Sequence, residues 1–355
     1  MTQTRKRVLS GVQPSGKLHL GNYFGAIRQH IALQDEMQCF YFIADYHALT
    51  TLEEATRRRL PPPSPPQGGG GRGGIKPADR AETLRENTLD VALDYLALGL
   101  DPDKAVFFRQ SDVPEVVELA WIFSTVTNMG LLERAVSYKE KVEKGIDASV
   151  GLFYYPVLMA ADILIYRSHL VPVGKDQVQH IEMTQDIAGK FNRTYGDIFP
   201  IPDYRLDKEA KVPGIDGQKM SKSYNNTIDI FAEGKPLEKR VKSIVTDSTP
   251  PEAPKEPDRC NLFALYSLFA TEEEKAALAA RYRAGGVKYG DVKMMLLDKI
   301  NAHFGPFRER RKQLAAHPEQ VEAILQRGAQ RARAEARQTM TLVRQAVGMR
   351  SASVG

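Results

Sequence analysis

Cysteine is nearly missing from this chain. Among 355 residues only Cys39 and Cys260 carry a thiol, far apart and without metal-ligand spacing. That excludes a disulfide-stapled scaffold and a zinc-ribbon type of site, and it points to a reducing, cytoplasmic setting. Long apolar runs are missing as well, so no segment reads as a membrane span. The basic start, residues 1–7, leads into a strand-like stretch rather than the apolar core of a secretory signal. What is present is the composition of a soluble globular protein, 42% hydrophobic and 26% charged, long enough for two domains and an ample core. A net charge of +5 permits a polyanionic partner.

The chain is organised around Gln13-Pro14-Ser15-Gly16-Lys17-Leu18-His19-Leu20-Gly21-Asn22. Residues 8–12 upstream read as a short buried strand. Residues 23–33 downstream read as a helix, with Phe24, Ile27 and Ile31 recurring three and four apart. A strand that feeds a helix through a Pro/Gly-rich turn sets the helix N-terminus beside the strand's carboxyl end. Free N–H groups and the positive end of the helix dipole then favour an anion. Gly16 and Gly21 admit a ligand close to the backbone, and His19 and Asn22 add side-chain donors. The segment lacks the Gly-x-Gly-x-x-Gly fingerprint and is not a P-loop. It reads as a phosphate site, with an ordinary βα turn as the plainer alternative.

Residues 39–44 form an apolar run suited to a strand buried on both faces, and Asp45-Tyr46-His47-Ala48-Leu49-Thr50 follows at its carboxyl end. There His47 either lines a ligand crevice or sits on the surface. Residues 53–77 combine Arg57-Arg58-Arg59 with Pro and Gly tracts and show no apolar period, which predicts a flexible surface insertion at about 55–77. Helices are expected over 83–98, 114–127 and 131–144, and a third strand over 106–108. Residues 151–166 are almost wholly apolar around a single carboxylate, Asp162, which needs a partner if buried. Tyr155, Met159 and Asp162 share one helical face. They either grip a flat ligand carrying one N–H, or Asp162 caps a neighbouring element. A fourth strand, 169–173, runs into Gly174-Lys175-Asp176-Gln177 and a helix over 178–191. Lys219-Met220-Ser221-Lys222-Ser223 lies on a loop flanked by Gly217 and Asn225-Asn226, whose two lysines can swing onto a polyphosphate. Beyond Phe231 the pattern is helical over 236–245, 262–269, 272–284, 289–304 and 318–347. Arg327, Arg331, Arg333, Arg337 and Arg344 in the last of these read either as an RNA surface or as a solvated face.

Together these segments resemble the tryptophanyl-tRNA synthetases, which are class I aminoacyl-tRNA synthetases. Residues 14–22 look like the first class I signature in its HxGN form, and residues 219–223 are an intact KMSKS. Residues 45–50, 155–163, 174–180 and 245–248 match the same family, and the likeness runs from about Val8 to the C-terminus, insertion aside. It implies an α/β, Rossmann-like parallel-sheet catalytic domain (1–228) and an all-helical anticodon-binding-type domain (229–355), in a homodimer. It further implies tryptophan, ATP with its Mg2+ and tRNA(Trp) as partners, and no dedicated protein metal site. The tryptophan carboxylate would attack the α-phosphorus, and the tryptophanyl group would then pass to the terminal adenosine of tRNA.

Carried over residue by residue, Gln13, Pro14, Ser15, His19, Gly21 and Asn22 would hold phosphate and nucleoside. Lys219 and Lys222 would close over the phosphates with Met220, Ser221 and Ser223, and Lys141 would contact pyrophosphate. Gly174, Lys175, Asp176 and Val212 would meet ribose and adenine. Asp162 would accept the indole N–H, with Met159, Val171 and Val173 around the ring and His47 nearby. Tyr155 and Gln177 would fix the α-amino end. Two departures stand out: the Pro/Gly-rich stretch lengthens a loop that is short in the family, and residues 211–218 form a shorter lead-in to the lysine loop. A tyrosyl enzyme would carry Gln-x-x-Asp after the Tyr-Pro, where this chain has Met159-Ala160-Ala161-Asp162. A catalytically silent paralogue would have lost the histidine or the lysines. A small-molecule nucleotidylyltransferase would lack the helical domain.

Overall fold

In the computed structural model, which describes residues 5–59, 75–135, 138, 149–206 and 212–350, the apolar runs become the middle of one sheet. Strands β1 (Arg7–Val12), β2 (Gln38–Ile43), β3 (Val106–Arg109), β4 (Leu170–Val173) and β5 (Asp203–Leu206) lie in the order β3-β2-β1-β4-β5. Every pairing is parallel. Successive residues of β2 feed opposite cores, Cys39, Tyr41 and Ile43 on one face and Phe40 and Phe42 on the other. Two-sided burial is why this strand shows no polar alternation.

On one face pack α1 (residues 20–32) and α3 (Pro77–Ala97). The second turn of α1, Tyr23–Ile27, is π-helical. On the other face pack α4 (Glu115–Ser124), α6 (Val150–Ile165) and α7 (Val178–Tyr195), with the short α5 (Met129–Glu133) beside them. Of the expected helix over 131–144, residues 131–135 and 138 are described, and the others lie outside the described residues.

β5 was not expected from sequence. Its residues, Asp-Tyr-Arg-Leu, are mostly exposed at the sheet edge, so they carry no apolar signal. Only pairing with β4, Leu170 opposite Asp203 through Val173 opposite Leu206, makes them a strand.

Within the stretch read as a flexible insertion over 55–77, residues 55–59 are helical. Helix α2 (Leu52–Arg59) continues into it and is held by side chains of α3: Arg59 Nη1 donates to Asn87 Oδ1 at 2.7 Å, and Arg80 pairs with Glu53 at 3.3 Å. Helix α3 starts at Pro77, where the Asp79 carboxylate accepts the Lys76 N–H at 2.9 Å. Residues 60–74 of the insertion lie outside the described residues.

Beyond residue 231 the chain is helical: α8 (Gly234–Lys242), α9 (Asn261–Ser267), α10 (Glu272–Ala284) and α11 (Tyr289–Ala315). These helices extend the core over α1, where Tyr23 meets Phe304 edge-on with ring centres 5.0 Å apart. The sequence pattern of α11 stops at Phe304 because Pro306 follows, yet the helix carries through that proline to Ala315.

The final helix, α12 (Pro318–Ala346), doubles back onto the sheet, and Ala332, Ala336 and Val343 join the core that holds Phe108 and Leu119. Four of the five arginines noted in the sequence meet protein partners. Arg331 donates to the carbonyls of Pro102 and Ala105, Arg333 and Arg337 both reach Glu115, and Arg344 reaches Glu118. Arg327, Arg331 and Arg337 are nonetheless exposed, as on a solvated face. Among the described residues no helix is long and apolar enough to cross a membrane.

Candidate active site

Because the strands are parallel, β1, β2, β3 and β4 all end at one edge, where ligands of open α/β sheets bind. The segments singled out in the sequence sit there: residues 13–22 after β1, 45–50 after β2 and 174–177 after β4. Gln13 and Ser15 are exposed at the end of β1, while Pro14 is buried and turns the chain. Gly16 has φ +96°, a backbone region natural only to glycine.

His19 precedes α1 in extended conformation, and its backbone N–H is accepted by Asn22 Oδ1 at 3.1 Å. Asn22 thus caps the start of the helix that carries it. The first signature is also strapped to the chain beyond the lysine loop, Leu20 N donating to Ile228 O at 3.0 Å and Ile230 N to Leu18 O at 3.2 Å. Burial, followed by the nearby Lys222 charge, lowers the His19 pKa to about 4, so the imidazole is neutral at ordinary pH. Among the described residues its Nδ1 is buried without a hydrogen-bond partner, an orphaned polar atom of the kind a ligand satisfies.

The lysine loop lies on this turn. Lys222 Nζ donates to Gly16 O at 3.0 Å and Ser15 O at 3.2 Å. A cation resting on carbonyls of a phosphate turn can exchange them for phosphate oxygens. Met220 is buried, its N–H donating to Val212 O at 3.1 Å; Val212, also buried, thereby shapes the loop. Lys219 is exposed. Asn226, 1% exposed, holds the loop's form: its Oδ1 accepts the Ser221 N–H at 2.7 Å, and its Nδ2 donates to Asp216 at 2.8 Å. Gly214 has to be glycine, since a Cβ would come 2.2 Å from Asn226 Nδ2. Ser223 stands in the single turn Lys222–Tyr224.

Asp162, 3% exposed, lies on α6 facing the ends of β2 and β3. His47 Nε2 is 2.9 Å from its Oδ2, and Gln110 Nε2 lies 2.8 and 2.9 Å from Oδ1 and Oδ2. Burial pushes its carboxyl above the ordinary carboxylate range, against the pull of the His47 and Gln110 hydrogen bonds. Met159 is half-buried beside the core that includes Val171 and Val173. Tyr155 hydroxyl meets His180 Nε2 at 2.8 Å. Gly174 is half-buried, Lys175 and Asp176 are exposed, and Gln177 Nε2 donates to Asp176 Oδ2 at 2.7 Å.

Three partners escaped the sequence reading. Gln110 carries no local signal beyond following a strand; His180 lies within residues 174–180 without a role of its own; Asn226 reads only as a loop flank. Lys141 lies outside the described residues. Among those residues no cluster of His, Cys, Asp or Glu could hold a metal ion.

Comparison with known proteins follows the same lines. The family model for class I tRNA synthetases (W and Y) matches residues 1–61 and 69–305. A tryptophan--tRNA ligase of Rhodopirellula baltica is 51% identical over 345 residues, 97% of this chain and 100% of that protein. One of Fusobacterium nucleatum is 50% identical over 97% of this chain and 98% of that protein. The crystal structure of tryptophanyl-tRNA synthetase from Campylobacter jejuni, complexed with ADP and tryptophan, superposes with a TM-score of 0.85 at 48% identity, covering 97% of this chain and 100% of that one. The chain belongs to the class I tRNA synthetases of the W and Y family and, within it, to the tryptophanyl-tRNA synthetases.

Proposed function

We propose that this chain activates L-tryptophan with MgATP to tryptophanyl-adenylate and transfers the tryptophanyl group to tRNA(Trp). The observation that carries this reading is the convergence of both signatures, through Lys222 on Ser15 and Gly16, at the sheet edge that also receives Asp162 and its partners.

In the first step a carboxylate oxygen of tryptophan attacks the α-phosphorus, the bond to the bridging oxygen breaks, and pyrophosphate leaves. The nucleophile is already an anion, so no general base is needed, and catalysis rests on positioning and charge stabilisation. His19, kept neutral by burial, supplies a polar ring without adding charge. Gln13, Ser15, Gly21 and Asn22 would line the phosphates and nucleoside, and Gly174, Lys175, Asp176 and Val212 the ribose and adenine. Lys219 and Lys222, with Met220, Ser221 and Ser223 shaping the loop, would take up negative charge as the P–O bond lengthens, joined by Lys141 at pyrophosphate. Mg2+ arrives with ATP. In the second step a hydroxyl of the terminal adenosine attacks the carbonyl, and AMP leaves.

Specificity falls to Asp162, Met159, Val171, Val173 and His47 at the indole, and to Tyr155 and Gln177 at the α-amino group. Residues 1–228 would form the catalytic part and 229–355, apart from α12, which packs back on the sheet, the part turned to the anticodon, in a cytoplasmic homodimer. Exchange of labelled pyrophosphate into ATP, run with tryptophan and tyrosine side by side, tests the reading. Tryptophan-dependent exchange is expected; tyrosine-dependent exchange, or none, overturns it.

A further inference from the structure

Gln110 sits one residue beyond β3, 2% exposed, between two anchored neighbours. Arg109 is held from α12 by a two-pronged pair with Glu322, at 2.8 and 2.6 Å. Ser111 N donates to Asp45 Oδ1 at 3.0 Å. The backbone at Gln110 is therefore fixed from both sides. Its amide is fixed too, because Oε1 accepts the Tyr46 N–H at 3.1 Å, which turns the NH2 end toward both oxygens of Asp162.

An NH2 group offers only donors, so it meets a carboxylate well and a carboxylic O–H badly. A carboxylate accepts at about four lone-pair sites. Gln110 uses one on each oxygen and His47 one on Oδ2. One acceptor site remains on Oδ1. The other charged or titratable groups near Asp162 are Asp45, after β2, and Tyr166, at the end of α6; neither supplies a cation.

We propose that Gln110 is a positioning residue that keeps Asp162 an ionised acceptor aimed at the indole N–H, and so sets discrimination against rings lacking that N–H. The inference rests on the tryptophan-activating reading above. Gln110 acts through Asp162, not on the reacting atoms, so its signature is in amino-acid selection rather than in nucleotide use.

The test compares tryptophan with its sulfur isostere, in which a ring sulfur replaces the N–H, in pyrophosphate exchange by Q110M and Q110E. Q110M keeps the volume and leaves the Tyr46 N–H its second acceptor, Asp45 Oδ1. Losing a hydrogen bond to a charged group corresponds to roughly a tenfold change or more. For Q110M the preference for tryptophan over the isostere is expected to fall by about that factor, through KM for tryptophan, with KM for ATP unmoved. In Q110E two carboxyl groups in contact share a proton, so the preference is expected to depend more strongly on pH than in the native chain. Q110E retains an acceptor for Tyr46 and decides the matter should Q110M not fold. A preference unchanged from the native chain, or equal losses for tryptophan and ATP, overturns the proposal. A native chain that does not exchange with tryptophan overturns the functional reading instead.

Discussion

At the scale of single residues, two buried groups decide most of the chemistry. Asp162 has no apolar substitute: it accepts from His47 and Gln110 in a closed setting, and removing it strands their donors as well as the ligand's. For Asp162→Ala, kcat/KM for tryptophan in pyrophosphate exchange is expected to fall by about a hundredfold or more, while KM for ATP moves far less. Parallel losses in both would show that the side chain serves structure rather than selection. His19 makes a pH prediction. Its folded pKa of about 4 lies below the unfolded 6.5, so the unfolded chain binds more protons between those values. The stability this group contributes is complete above pH 6.5 and is lost as pH falls toward 4. Denaturant titrations of the native chain and His19→Gln across that window should show a shallower acid loss in the variant; equal slopes would remove His19 from the account. The sequence exposed Asp162 because a lone carboxylate in an apolar helix is conspicuous. It hid Gln110, since a glutamine after a strand looks like any other until the fold sets it against α6.

At the scale of elements, α12 is the informative case. Its apolar period is plain in sequence, and so are its arginines, but their partners Glu115, Glu118 and the carbonyls after α3 are far away in the chain. Charge spacing on one helix cannot say whether the opposing surface is nucleic acid, water or protein. Gly328 marks the contact: a Cβ there would stand 1.8 Å from the Phe107 carbonyl oxygen, which is backbone and cannot rotate aside. Gly328→Ala should therefore lift α12 from β3 and cost about 1–3 kcal/mol, as overpacking does, read as a lower guanidinium midpoint. An unchanged midpoint would mean that the helix already sits further from the strand. Because α12 also holds Arg109 through Glu322, the same variant is a sensitive place to look for weakened tryptophan discrimination.

At the scale of the whole molecule, α4 presents exposed apolar side chains one helical turn apart, and α5, the next helix, adds another. There Val117 is 46%, Trp121 69% and Met129 62% exposed. Large apolar groups left open together mark an interaction surface, and in the proposed homodimer they are the candidates for burial. Trp121→Glu is expected to shift the native chain from dimer to monomer in sedimentation equilibrium at micromolar concentration. A monomeric native chain, or a dimeric variant, would place the interface elsewhere.

The sequence alone determined the strand–turn–helix units, the two signatures and the apolar face bearing Asp162, because these depend on local spacing, on periodicity and on residues that must act together within a few positions. Only the tertiary structure decided the edge strand β5, the seating of the arginines of α12 and the partners Gln110, His180 and Asn226. Each of these is a pairing between segments distant along the chain, and the energy that selects such a pair, desolvation offset by a hydrogen bond, does not exist until folding brings both members out of water.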